Sequence, residues 1–301
     1  MKKRKCLIFG SLLIIILIIG IFLIANRNSK KEFSYMPVFY QICDDDNCNY
    51  LLGSMHVGDN RITKFNKKVI KAYNKSDALA VELDITEASI DPNDLVLEDN
   101  LTIDDLINED LKNKLVSFSE KHLLFPYDSL KIYIPGYLSS YLASLVYLEL
   151  GYLGEGVDSY FLNLAHEEDK EIIPLETLEF QLSFFTNFSD EFYINMIEDV
   201  IDNYDEEKKL GKELYELYLT GSENKLVEFL ESETDDELND EEKLYNKMMI
   251  EDRNIGMSKN IKEFLKDDKD VFVVVGLAHV LGEDGIIDIL ANENFEIKRI
   301  K

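Results

Sequence analysis

A chain of 301 residues with 46% hydrophobic residues is long enough to bury one large core or two small ones. Its net charge of −27 and pI near 4.5 exclude the basic footprint of a nucleic-acid-binding protein. The same acidity suits a solvated surface and is compatible with divalent cations.

The first 31 residues carry seven basic side chains and no acid. Between the basic clusters, Cys6–Ala25 is almost all Leu, Ile and Phe. A run of roughly 20 apolar residues is long enough to span a bilayer as one helix. A cleaved signal peptide is the rival reading, but Leu23 fits a small-x-small cleavage site poorly, and Cys6 lies before the run, where no lipid-anchored cysteine follows it. The expectation is an uncleaved single-pass anchor over residues 1–31 at the cell membrane, with the rest of the chain, 32–301, outside the cytoplasm. Arg27, Lys30 and Lys31 reduce the charge asymmetry behind that orientation.

After a polar linker, Val38–Ile42 and Tyr50–Ser54 read as a hairpin. Cys43 and Cys48 flank its loop; a disulfide, two free thiols and a short acidic calcium loop are all open, the last disfavoured by too few ligands. Apolar residues at Ile62, Phe65, Val69, Ile70 and Tyr73 predict a helix over 61–74. Ala78–Leu83 predicts a buried strand. Helices are then expected over 101–107, 111–122, 137–150 and 157–166, with Asp158 or Ser159 serving the first turn of the last. Glu171–Leu175 predicts a short strand with Pro174 near its end or at an edge. From Leu178 to about Asp267 the pattern is helical, ending in a helix over 251–265. Val271–Val275 is a buried strand, followed by a tight turn, a helix, and a last strand over 295–300. The aromatic residues near 141–147 and 181–188 read as core. Together this is an α/β fold with a central mixed sheet and a large helical insertion at approximately 100–267, preceded by one transmembrane helix.

Two stretches share one device. Gly53-Ser54-Met55-His56 and Gly276-Leu277-Ala278-His279 each run a strand into Gly-x-x-His. Glu82 and Glu176 likewise stand at or just past strand ends. In an open α/β sheet, ligands bind outside the carboxyl ends of the strands. Convergence there would give two imidazoles and one or two carboxylates, a set known to hold a catalytic divalent metal with a position left for water. A carboxylate left over could act as general base. Glu82 in an apolar strand needs a partner, either a metal or the Arg253 guanidinium. Glu176 could instead cap the next helix. His122 and His166, among charged neighbours, read as surface.

Five segments in order, YLLGSMHVGD, ALAVELD, GEGVDSYFLNLAHEEDKEIIPLETLEFQ, EDRNIGMSKNI and VFVVVGLAHVLGEDGIIDIL, together resemble the TraB/PrgY/GumN family, which includes the Tiki membrane proteases. The resemblance implies a fold similar to erythromycin esterase and ChaN-like proteins. It implies that His56, Glu82 and His279 form a metal-dependent peptidase centre for a divalent ion (Mn, Co or Zn). Asp158, Glu176, Arg253 and Asn254 match other family-typical positions without an assigned role, and Met55 stands where a β-branched residue is common. The expected function is a membrane-anchored, outward-facing metallohydrolase acting on a peptide or protein substrate. Glu176 would be a secondary ligand or base, and Arg253 would stabilise negative charge or orient Glu82. Two alternatives stay open: a surface protein that sequesters a peptide signal, and metal-free hydrolysis with a histidine as base.

Overall fold

The computed structural model describes residues 35–301 apart from 45–46, 87–88, 123–124, 233–237 and 268. The expected transmembrane helix at 6–25 lies outside the described residues. Among those described, no helix is long and apolar enough to cross a membrane.

Strands β1 (Phe39–Asp44) and β2 (Asn47–Ser54) form the expected hairpin. Its loop is closed by a Cys43–Cys48 disulfide between directly opposed residues. After the two-residue β3 (Val57–Gly58), helix α1 (Lys67–Lys75) leads to β4 (Ala78–Val81). α1 starts later than the apolar stripe predicts. Asn66 is the N-cap and accepts from the backbone of Lys68 and Val69, so Ile62 and Phe65 pack on the core from the loop before it.

The next segment is helical: α2 (Glu109–His122), α3 (Tyr127–Leu130) and α4 (Pro135–Glu149). The predicted helix at 101–107 is only a 3-10 turn, Ile103–Asp105, held by a Thr102–Asp105 capping box. β5 (Gly154–Glu155), α5 (Val157–Glu167) and β6 (Glu171–Pro174) follow. β6 returns to the sheet, so the helical region is interrupted there rather than continuous. A second helical run holds α6 (Leu178–Ser183), α7 (Asp190–Thr220), α8 (Glu223–Ser232) and α9 (Asp240–Lys247). α9 passes through a π-helical segment, Met248–Asp252, into α10 (Arg253–Lys266). β7 (Val271–Gly276), α11 (Leu277–Val280), α12 (Ile286–Asn292) and β8 (Glu296–Arg299) complete the chain.

The main sheet is mixed, in the order β6-β4-β7-β2-β1-β8. Its four strands β6, β4, β7 and β2 run parallel, and β1 is antiparallel to both β2 and β8. β7 is buried at every residue and fills the gap between β4 and β2. That is why it reads as a continuous apolar run rather than an alternating one. Tyr73 of α1 and Phe161 of α5 close on Phe272 of β7, with ring centroids 5.7 and 4.9 Å away. In the helical region α4 packs along α7, and Tyr218 of α7 donates its hydroxyl to the Gly53 carbonyl at 2.9 Å. This ties the helices to the end of β2. A separate aromatic cluster gathers Phe184, Phe185, Phe192, Tyr193, Tyr245 and Met249.

Replacing Cys43 and Cys48 together by serine should lower stability by at most about 2 kcal/mol, because the closed loop is short. Urea unfolding of the protein checks this. Wild type in reductant should match the double variant, and a larger gap would mean the bridge holds more than the hairpin.

Candidate active site

β2, β4, β6 and β7 are parallel neighbours, so His56, Glu82, Glu176 and His279 follow the same end of the sheet. Strand pairing continues slightly past β4 and β6: Leu175 and Glu176 donate backbone N–H groups to the carbonyls of Val81 and Glu82 at 2.8 and 2.9 Å. His279 is 0% and Glu82 1% exposed, so the centre is enclosed.

His56 is positioned from below by the segment before α5. β3 pairs with β5, and Val157 N–H donates to the Met55 carbonyl at 3.0 Å. Gly156 lies so close that a Cβ there would come within 2.1 Å of the His56 carbonyl oxygen. Its φ of −70° is ordinary, so close approach rather than conformation demands glycine. This contact delivers Asp158, in the first turn of α5, to the imidazole. Asp158 Oδ2 stands 2.8 Å from His56 Nδ1, and Ser54 Oγ donates to Asp158 Oδ1 at 2.7 Å. Burial works against both charges. The neighbouring carboxylate nevertheless raises the His56 pKa, and the imidazole together with the Ser54 bond lowers that of Asp158.

Arg253 begins α10 directly after the π-helical segment, where the extra residue in the turn re-aims the side chains that follow. Its guanidinium donates to Glu82 Oε2 at 2.6 Å and to both oxygens of Glu176 at 2.7 Å. Gln181 Nε2 donates to Glu176 Oε2 at 3.0 Å, and Gly276 N–H donates to Glu82 Oε1 at 2.6 Å. Of the two partners expected for Glu82, the guanidinium is therefore present. Burial pushes the Glu82 carboxyl up, against the pull of Arg253. The helix-cap reading of Glu176 does not hold: Thr177 caps α6 by accepting from Phe180 N–H. The Glu176 carboxylate is engaged by Arg253 and Gln181.

On the other side of the site, His279 Nδ1 lies 2.7 Å from Asn254 Oδ1, and Asn254 Nδ2 donates to the Asp284 carbonyl at 2.9 Å. Burial lowers the His279 pKa well below its ordinary value, helped by the charges of Arg253 and His56. The Nε2 atoms of His56 and His279 are both buried and make no hydrogen bond. His279 Nε2 stands 4.0 Å from Glu82 Oε1. Among the described residues, no three His, Cys, Asp or Glu side chains form a ready-made metal cage. The donor chemistry fits a divalent ion in part. Two imidazoles present bare Nε2 atoms with their Nδ1 atoms held from behind, the usual support of a metal-binding histidine. Glu82 Oε1 retains a lone pair beyond the one given to Gly276.

His166 is exposed as expected, near Asp84 and Thr86. His122 is not a plain surface residue; it packs between Phe118 and Tyr204 and bonds Glu149 at 2.6 Å. Asp158 and Asn254 are the residues whose roles the sequence left open. A signal for both exists in helical spacing. Asp158 shares the buried stripe of Phe161, Leu162 and Ala165, and Asn254 that of Met257, Ser258, Ile261 and Leu265. A polar side chain on the apolar face of a helix needs a buried partner.

The sequence profile of the TraB/PrgY/gumN family matches residues 38–299, and the chain belongs to that family. No curated protein and no solved structure shows significant similarity to it.

Arg253→Met should destabilise the protein by about 3–5 kcal/mol, because it leaves two buried carboxylates without their cation. Chemical denaturation measures this, and a loss below about 1 kcal/mol would mean the pair carries no structural role. Acid should act on the site through His279, which is buried with its folded pKa below the unfolded value of about 6.5. Its contribution to stability is complete above about pH 6.5 and is lost as pH falls and the unfolded chain takes up the proton. In chelator, wild type should lose more stability between about pH 7.5 and pH 5 than His279→Gln does. Equal losses would show that His279 is not held neutral.

Proposed function

We propose that this member of the TraB/PrgY/gumN family is a membrane-anchored, outward-facing hydrolase of peptides or protein segments that works with a divalent metal ion at His56 and His279. The observation that carries the reading is the pair of buried, bare Nε2 atoms at one sheet end. Charge supports it: with His56 neutral, as a metal ligand must be, Glu82, Glu176 and Asp158 are three carboxylates against the guanidinium of Arg253, an imbalance that a cation relieves. Imidazole with carboxylate suits Mn, Co or Zn. When bound, such an ion supplies Lewis acidity and lowers the pKa of a coordinated water. His56 and His279 would bind it, with Asp158 and Asn254 holding their rings in place. Glu82 would be the third ligand through Oε1. Arg253, anchored by Glu176, would orient Glu82 and stabilise negative charge on the substrate. The enclosed setting would exclude bulk water and strengthen each of these interactions.

The orientation rests on the Cys43–Cys48 bridge, which suits an oxidising compartment, and on the basic residues at the extreme N-terminus. The resemblance to the Tiki membrane proteases supports the peptidase reading.

A second reading is metal-free hydrolysis, favoured by one observation: the two imidazoles are pushed in opposite directions, His56 toward its protonated form and His279 toward its neutral form. Environments that split a titratable pair in this way divide acid from base.

Metal content and peptidase activity of the full-length chain in detergent separate the readings. Turnover should vanish on chelation and return with a divalent ion, and His56→Ala and His279→Ala should each lower it by about 10²–10⁴-fold. Turnover that survives chelation would move the assignment to the metal-free reading. A folded protein with neither metal nor turnover on a broad peptide library would leave peptide sequestration.

A further inference from the structure

The two Gly-x-x-His histidines are alike in sequence but are held by different chemistry. His56 Nδ1 faces a carboxylate, Asp158; His279 Nδ1 faces an amide, Asn254. A carboxylate accepts equally from a neutral or a protonated ring. An amide has a donor end and an acceptor end, so what it imposes depends on which way it faces.

We propose that Asn254 is the positioning residue that fixes His279 in the tautomer with its proton on Nδ1 and its lone pair on Nε2. The direction of the Asn254 amide is itself set by the backbone carbonyl of Asp284. A backbone carbonyl can only accept, so the Asn254 end that meets Asp284 at 2.9 Å is Nδ2. The opposite end is then Oδ1, which can only accept, so the ring atom 2.7 Å away must donate. That atom is Nδ1, and a neutral imidazole carries one proton, which leaves Nε2 bare. Nε2 is the buried His279 atom that has no hydrogen-bond partner.

The Asp284 carbonyl is held in turn by the loop after α11. Asp284 has φ 61° and Gly282 φ 94°, both left-handed, and Gly285 N–H returns to the Gly282 carbonyl at 3.1 Å. The loop cannot rotate that carbonyl away without unwinding the turn. Asn254 itself is 0% exposed, so no solvent competes for either end of the amide. The acidic Gly-Glu-Asp-Gly stretch after the second histidine thus acts through its backbone rather than its carboxylates, and that backbone sets the state of His279.

This inference deepens the hydrolase reading, because a bare Nε2 is what either a metal or a proton transfer requires, but its test does not depend on turnover. The chain has only four histidines, so ¹⁵N-histidine labelling of the full-length protein in detergent with chelator gives an uncrowded two-bond ¹H–¹⁵N spectrum, and His279→Asn identifies the His279 signal. The expected result at neutral pH is a protonated Nδ1 and a bare Nε2 at His279. Asn254→Ala should populate the Nε2–H form and reduce turnover by about 10–100-fold. Asn254→Asp, which still accepts from Nδ1, should keep the proton there. A wild-type spectrum in which the assigned His279 carries the proton on Nε2, or divides it between the nitrogens, overturns the proposal whatever the Asn254 variants do. An Asn254→Ala protein with the wild-type tautomer overturns it equally. The Nδ1–H tautomer in a protein that hydrolyses nothing would sink the hydrolase reading and leave this one standing.

Discussion

The buried guanidinium of Arg253 is the contact on which the site depends. Isolated, it would be costly to bury; here it is neutralised by Glu82 and Glu176 within 2.7 Å. Those carboxylates follow β4 and β6, and Glu82 also accepts from the last residue of β7. One side chain of α10 thus ties together the ends of three parallel strands. Its position depends on the π-helical segment before it, which interrupts an otherwise continuous helix from Asp240 to Lys266. A regular α-helical register would place residue 253 on a different face relative to the residues of α9.

The strands were legible because they rest on strong local signals; that the side chains past their ends meet was not. The run of five buried apolar residues in β7 and the four-residue run in β4 mark interior strands, and helices between the strands point to an α/β sheet with parallel neighbours. Once that is granted, residues just past their ends share one edge. Less legible was anything set by a single backbone contact. The stripe at Ile62 and Phe65 suggested helix, yet Asn66 caps α1 after both, because an apolar side chain can reach the core from a loop as well as from a helix. The 3-10 turn at 103–105 and the π segment at 248–252 differ from α-helix by one hydrogen-bond step, which leaves no periodic trace in so few residues.

Asp158 and Asn254 show a different limit. Each lies on the buried stripe of its helix, so the sequence contains the evidence that it is interior. What it lacks is the identity of the partner, which comes from a segment about a hundred residues away for Asp158 and 25 away for Asn254. The glycine beneath His56 is similar. Gly156 has an ordinary backbone conformation, and only the 2.1 Å approach of a virtual Cβ to the His56 carbonyl explains why no side chain fits. Glycines required by proximity carry no local signature, unlike those required by a left-handed turn.

The resemblance between the two Gly-x-x-His units is also less symmetrical than it reads. In the parallel pairing of β2 and β7, Ser54 stands opposite Gly276, so Gly53 is opposite Val275 and the motifs are staggered by one residue. Measured from that shared row, His56 is two residues on and His279 is three. The chain paths also differ after that row. After β2 the chain bends at His56 and enters β3, which pairs in a second, two-stranded sheet, whereas after β7 it turns directly from Gly276 into α11. The same difference in path decides what stands behind each ring. The departure through the bend into β3 exposes the His56 backbone to the strand and helix start at 154–158, which bring a carboxylate. A helical departure turns the His279 ring toward α10, which brings an amide. Two near-identical motifs thus yield two chemically distinct imidazoles, and the distinction arises from register and chain path rather than from the motif residues themselves.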